Sequence, residues 1–258
     1  MDTPRSTLRD RDLAEISRSA EEARNVKIGA ARPPHAERYL HPTADTSYPL
    51  EYAFYLLGEI ENKVVLDLGC GHGENLVILA EGGAQVLGLE ISPELAELAK
   101  QRVRGLWMNA EVRVGSAYET GLPDASVDLI FCIAVIHHLD IAALRAEMMR
   151  ILKPGGCMVL SEPIRFSKTY DWLRKRLQPR ENISEYEHPV TRAEFACMTE
   201  GFQMEAIRYF RLPFVPLLER AVGRNLPSTR RLSNRLLHHF PALNRFATTA
   251  VFRLRKAG

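Results

Sequence analysis

The stretch VLDLGCGHGENL, residues 65–76, decides the fold: an apolar run ends at Asp67, and glycine then recurs at every second position, Gly69, Gly71 and Gly73. Glycine lacks a Cβ, takes positive φ readily and lets a ligand lie against the main chain. A strand that enters such a turn and leaves it as the helical ENLVILAEGG is a junction that admits a nucleotide-like molecule at a helix N-terminus. In a dinucleotide fingerprint, G-x-G-x-x-G, the third glycine follows the second by three positions. Here it follows by two, and the three-after position is Glu74. Asp67 stands two positions before the first glycine. Carboxylates there offer a pyrophosphate nothing and favour an ammonium or sulfonium, so the spacing predicts a cationic ligand.

Outward from this turn, KVVLDL, AQVLGLEI, EVRV, VDLIFCIAV and CMVLS are short Val, Ile and Leu runs, apolar at consecutive positions, as strands covered on both faces are. Between them lie ENLVILAEGG, SPELAELAKQRVRG and DIAALRAEMMRILKPGG with helical spacing. Ser92 and Asp140 are placed to cap the second and third of these, with Pro93 at a first helical position and Lys153-Pro154-Gly155-Gly156 as a stop. Repeated β-α-β units predict a doubly wound, Rossmann-like, mostly parallel α/β sheet, with ligands outside the carboxyl ends of its strands. After Pro163 the alternation lapses. The segment 163–190 reads as a polar and aromatic insertion with a helix over 170–177; the helical TRAEFACMTEGF and the extended MEAIRYFRL follow. A second insertion over 212–244, rich in Leu, Pro and Arg, precedes ATTAVFRLR, which alternates like an antiparallel last strand. Residues 1–62 read as a charged segment followed by a helix in SYPLEYAFYLLGEI, together an N-terminal lid on a domain of 63–258.

The chain of 258 residues is 46% hydrophobic and 26% charged, the balance of an ordinary globule. No run approaches the ~20 apolar residues of a spanning helix, and the charged N-terminus lacks a signal peptide's apolar core, which predicts a cytoplasmic address. Cys70, Cys132, Cys157 and Cys197 lie far apart without a CxxC, which suits incidental thiols better than a disulfide set or a zinc site. Net charge is +2 but uneven: from Gln203 onward there are eleven Lys and Arg against Glu205 and Glu219. This basic tail reads either as a cap helix with solvated arginines or as an element that rests on an anionic membrane surface or admits a lipid-like molecule. Without interleaved stacking aromatics it is a poor nucleic-acid surface.

Asp67-Leu-Gly69-Cys-Gly71-His-Gly73 resembles motif I of the class I S-adenosylmethionine-dependent methyltransferases. Glu90 ends the second strand 17 residues after Gly73, where that family places the carboxylate that accepts both ribose hydroxyls. The loop VGSAYETGLP is similar to the family's adenine loop, and VDLIFCIAVIHHL with LRAEMMRILKPGGCMVLSEP to its strand-four to strand-five region. The likeness covers residues 63–163. It implies S-adenosylmethionine as cofactor, with Asp67, Gly69, Gly71 and Gly73 on the methionine portion, Glu90 on the ribose, Ile91, Ser116 and Ala117 on the adenine, and the main chain near Ile133 on the amino group. The chain departs from the pattern at Ser116, where the family often has Asp; a neutral hydroxyl gives a weaker contact. Ile133-Ala134-Val135-Ile136 stands where amine-directed branches carry Asn-Pro-Pro-aromatic.

The implied activity is methyl transfer to a small or lipid-like acceptor, favoured as apolar by the content of the two insertions. His137 and His138, after the fourth strand, are candidate bases for an acceptor proton, as is His188 on the first insertion; each also reads as a plain loop residue. Tyr48 is a candidate to close over the cofactor. A nicotinamide oxidoreductase on a related fold, and a non-catalytic relative that binds cofactor or membrane, remain as alternatives.

Overall fold

The computed structural model describes residues 5–25, 32–167, 188–223 and 226–258. The apolar runs form strands β1 (Val64–Leu68), β2 (Gln85–Glu90), β3 (Ala110–Val114), β4 (Val127–Ile133) and β5 (Leu152–Arg165). They are followed by the two-residue β6 (Val190–Thr191), then β7 (Phe202–Phe210) and β8 (Thr249–Lys256). The order is β3-β2-β1-β4-β5-β8-β7, with β6 beside β5. β1 to β5 pair in parallel, and β8 runs antiparallel to both β5 and β7. β7 is therefore parallel to β5, and its carboxyl end lies on the same edge of the sheet as those of β1, β4 and β5. That edge carries the site.

Alternation along each strand divides the core into two layers. Leu66, Leu68, Ile130 and Leu160 pack with Leu144 and Met148 of α6 (Ile141–Ile151) on one face. Val65, Phe131 and Val159 pack on the other with Phe54 of α3 (Pro49–Leu57) and Leu76 of α4 (Glu74–Glu81). The Phe54 and Phe131 rings lie 4.8 Å apart. α5 (Pro93–Gly105) opens with the Leu95 N–H donating to Ser92 Oγ at 3.3 Å, and α6 with the Ala143 N–H donating to Asp140 Oδ1 at 3.0 Å. Both predicted caps are present, each contributing about 1 kcal/mol.

Three features differ from expectation. The Lys153-Pro154-Gly155-Gly156 segment lies within the bounds of β5, since α6 already ends at Ile151. Residues read as a charged segment form the 21-residue α1 (Arg5–Asn25), which packs on α5; α2 (Ala36–Leu40) follows. α1 shows no apolar stripe because its inward positions are polar, Ser19 being 2% exposed and its hydroxyl donating to Glu15. Finally, beyond the expected helix α7 (Arg192–Thr199) before β7, the basic stretch folds into α8 (Phe214–Val222) and α9 (Pro227–His239). α9 turns Arg230, Ser233, Asn234 and Leu237 inward, so its arginines are not all solvated. The helix expected over 170–177 lies outside the described residues. Among the described residues no helix is long and apolar enough to cross a membrane.

Candidate functional site

The glycine loop leaves β1 and docks on the end of β2, the Gly69 and Cys70 N–H groups both donating to Leu89 O at 2.8 and 3.1 Å. Gly69 has φ 70, and a Cβ there would sit 2.4 Å from Val135 Cγ2. Only glycine lets the β1 turn and the loop after β4 approach this closely. At Gly71, φ 53, a Cβ would meet nothing within 4 Å, because that position faces a cavity. Gly73 has φ 86 and precedes α4, packed on Ala99 of α5.

The cavity, about 190 Å³, is lined by Gly69 and Gly71, by Glu90 and Ile91, by Ala117, and by Ile133 and His138. A further wall comes from α1, through Asp12, Glu15, Arg18 and Ser19. Residues from four strand ends and a helix 50 to 59 positions upstream of the glycine loop thus converge on one chamber.

Its electrostatics are acidic. Glu90 is 5% exposed and accepts the Gly71 N–H at 2.9 Å and the Ser92 N–H at 3.0 Å, so it braces the glycine loop while lining the cavity. Burial pushes its pKa up, against the pull of those two amides. Asp67 is 1% exposed, and its Oδ2 has no hydrogen-bond partner. Burial, with Glu90 adding repulsion, pushes the Asp67 carboxyl up to about 8. A buried acid without a donor is costly, and a cation beside it removes the cost. The residues present therefore fit a ligand that carries an ammonium or sulfonium.

Ser116 does not line the cavity itself. Its hydroxyl accepts the Tyr118 N–H at 3.2 Å and bonds the carboxyl group of Asp12, whose pKa burial raises and that bond lowers. Asp12 does line the cavity, so an acid stands beside the loop that lacks one.

The histidines separate. His138 lines the cavity, its ring 4.0 Å from that of His137 and its Nδ1 3.3 Å from Glu15 Oε2. Burial, then His137, holds its pKa below the ordinary value, so it is neutral near pH 7. His137 Nδ1–H donates to Glu162 Oε2 at 2.9 Å. Glu162, at 0% exposure, also accepts the Val135 and Ile136 N–H groups at 2.9 and 3.1 Å, which fixes the loop after β4. The His188 N–H donates to His137 O at 3.2 Å, so the three predicted histidines are neighbours, though only His138 reaches the chamber. Tyr48 is not among the lining residues; its ring lies under the guanidinium groups of Arg38, at 4.3 Å, and Arg230, at 5.4 Å.

Asp12, Glu15 and Glu162 were missed from the sequence. The first two sit on a helix without amphipathic signal, and Glu162 follows an apolar strand in SEP with nothing local to mark it. Its only signal was an acid at a strand end on the edge where Asp67 and Glu90 also lie.

A family model described as a methyltransferase domain matches residues 66–160. A probable S-adenosylmethionine-dependent methyltransferase of Mycolicibacterium smegmatis is 36% identical over 104 residues, 40% of this chain and 39% of that protein. A ubiquinone biosynthesis O-methyltransferase of Alkalilimnicola ehrlichii is 29% identical over 177 residues, 66% of each. The chain spans less than half the length of several of the curated relatives it matches. Among solved structures, geranyl diphosphate C-methyltransferase of Streptomyces coelicolor, in complex with Mg2+, geranyl diphosphate and S-adenosyl-L-homocysteine, superposes with a TM-score of 0.60 at 19% identity, over 80% of this chain and 79% of that one. At that identity the likeness is one of fold. The methyltransferase-domain match over residues 66–160 takes in the glycine loop and the strand ends beside the acidic chamber, and the methyltransferase relatives support S-adenosylmethionine as the cofactor of that domain.

Proposed function

We propose that the protein transfers a methyl group to a small or lipid-like acceptor with an apolar body, by in-line displacement at the mouth of the β1–β4 chamber. S-adenosylmethionine supplies a methyl group already activated on a sulfonium sulfur. The chain's task is to align the nucleophile with it and to exclude water, and alignment is worth on the order of 7–11 kcal/mol. Asp67 and the glycine loop would hold the ammonium end, Glu90 the ribose hydroxyls, Ile91 and Ala117 the adenine faces, Ser116 with Asp12 the adenine edge, and the main chain at Ile133 the amino group. α1 would close the chamber. His138, neutral and at the chamber wall, would take a proton from the acceptor, with the tilted His137 ring beside it oriented by Glu162.

The observation that carries this reading is the buried, unpartnered Oδ2 of Asp67, which does not line the chamber itself but lies at the strand end beneath Gly69, Gly71 and Glu90, which do. A titration of S-adenosylhomocysteine followed by calorimetry tests it. Micromolar-range binding is expected, weakened about 100-fold by Glu90→Ala, since two charge-assisted hydrogen bonds are lost. No heat in the parent titration would end the proposal.

Peripheral contact with a membrane is a second reading, favoured by one observation. Leu218, Val222, Leu232 and Phe240 are each 44–56% exposed on α8, α9 and the turn after it, interspersed with Arg220, Arg231 and Arg235. Flotation with vesicles containing anionic lipid is expected to retain the protein, and to lose it when those three arginines are replaced by glutamine; a parent that stays at the bottom rejects the contact.

A further inference from the structure

The carboxyl end of β7 holds a second charge imbalance, opposite in sign to that of the cofactor chamber. Arg211 follows β7 directly, with φ 59, a left-handed conformation costly to any residue with a side chain. It is held there by Thr248, whose N–H and hydroxyl both donate to Arg211 O at 2.9 and 3.0 Å. The Arg211 Nε is buried with no hydrogen-bond partner. Across from it, the Leu212 N–H donates to Ser233 Oγ at 2.8 Å, pinning β7 to the inner face of α9. Asn234, next to Ser233 and 8% exposed, has a buried Nδ2 that is also without a partner. Arg230, one helical turn before Asn234, shares that face and holds Glu219 through two hydrogen bonds of 2.6 and 3.0 Å.

Among the described residues, Glu219 is the carboxylate of this cluster, and Arg230 already occupies both its oxygens. Arg211 and Arg208 have no carboxylate within ion-pair distance; Arg208 lies over the Tyr52 and Phe210 rings at 5.1 and 4.9 Å and donates to Ala44 O. Burial pulls the pKa of Arg211 down and the Arg230 charge adds to it, with Glu219 acting the other way, as expected of a buried guanidinium whose carboxylate neighbour is already held by another arginine. Buried donors need acceptors, and crowded cations need an anion.

We propose that the junction between the end of β7 and the inner face of α9 binds a carboxylate or phosphate group carried by the methyl acceptor, with Arg211 and Asn234 as its donors and Arg230 beside it. This deepens the methyl-transfer reading and rests on it for the word acceptor. The placement suits the role. Glu162, the anchor of His137, pairs with Ala250 on β8, and Thr249 beside it pairs with Phe210 on β7. Arg211 thus lies two interstrand spacings, about 10 Å, from the strand end that orients the histidines. The acceptor is an apolar body of roughly that length with an acid at its far end. Phe210, Leu212 and Val215, all buried, and the Tyr52 ring 5.6 Å from Phe210 supply apolar surface around the junction.

The test uses the full chain saturated with S-adenosylhomocysteine, titrated with octanoate, octyl phosphate, octanol and inorganic phosphate below micelle-forming concentrations. Octanoate or octyl phosphate is expected to bind at least tenfold more tightly than octanol, and inorganic phosphate at least tenfold more weakly than octyl phosphate. Arg211→Gln should abolish the advantage over octanol and leave S-adenosylhomocysteine affinity unchanged, which also shows that the variant folds. Arg211→Lys should keep part of it, and Asn234→Asp should remove it by placing a like charge at the junction. Equal binding of octanol and both anions overturns the proposal, as does an unaffected Arg211→Gln. Inorganic phosphate binding as tightly as octyl phosphate makes this an ion site and overturns the acceptor assignment. A parent protein that fails to bind S-adenosylhomocysteine sinks the methyl-transfer reading instead, and the alkyl series run without it still judges the anion site.

Discussion

The two ends of the sheet's carboxyl edge carry opposite, uncompensated charge. At β1 and β2, Asp67 and Glu90 are buried together and Asp67 Oδ2 has no donor; at β7 and α9, Arg211 and Asn234 present buried donors that have no acceptor. Other buried carboxylates among the described residues are paired. Glu147 takes the Thr120 N–H and hydroxyl as well as the Arg150 guanidinium, and Glu162 takes three donors. The contrast teaches that an unpaired buried group of known sign reports the sign of what belongs beside it, since leaving such a group alone costs several kcal/mol.

That contrast can be broken first at Gly69. Gly69→Ala places a methyl group 2.4 Å from Val135 Cγ2 on left-handed backbone. A loss of about 2–4 kcal/mol in urea unfolding is expected, with S-adenosylhomocysteine affinity falling as the loop shifts. Gly71→Ala, which meets nothing within 4 Å, should cost less stability while still impairing binding. Equal effects of the two on stability would show that the contact with Val135 does not hold the acidic end together.

A smaller effect sharpens the role of α1. If Asp12 with Ser116 reads the adenine amino group, Asp12→Ala should weaken S-adenosylhomocysteine about 5–10-fold, and S-inosylhomocysteine, which lacks that amino group, hardly at all. An equal loss for both ligands would leave Asp12 as wall and nothing more.

The last test follows a proton. Asp67 has its carboxyl raised to about 8, from an ordinary 3.8. Between those values the folded chain keeps a proton that the unfolded chain releases. Its contribution to stability is therefore full below about pH 4, declines as pH rises to about 8 and is level beyond. Asp67→Asn should remove that decline, so its stability relative to the parent rises from pH 5 to pH 8. Binding of a cationic ligand beside Asp67 should release up to one proton at pH 7, measurable by calorimetry in buffers of different ionisation enthalpy. No release, together with parallel stability profiles, would mean that Asp67 does not meet the cation.

The acidic end was legible in the sequence because its residues are local. Asp67, Gly69, Gly71 and Gly73 occupy one turn, and Glu90 ends the next strand, so spacing alone brings them together. The caps at Ser92 and Asp140 were legible for the same reason. Asp12 was not, since α1 reaches the chamber from 1.5 Å-per-residue helix geometry and packing on α5 that no periodicity in its charged sequence announces. Tyr48, read as a closing residue, lies instead between two arginines, one of them from α9. The basic end was visible only as an excess of arginine.

What the sequence by itself determined was the doubly wound sheet, the glycine turn and the methyltransferase-domain likeness of residues 66–160, because strand periodicity, φ-permissive residues and short spacings act over a few neighbours. Only the tertiary structure decided which arginines lose water, which histidine reaches the chamber and which acid from the N-terminal helix joins it. Burial depends on the residues that fold against a side chain from far along the chain, and the cost of a charge depends on burial.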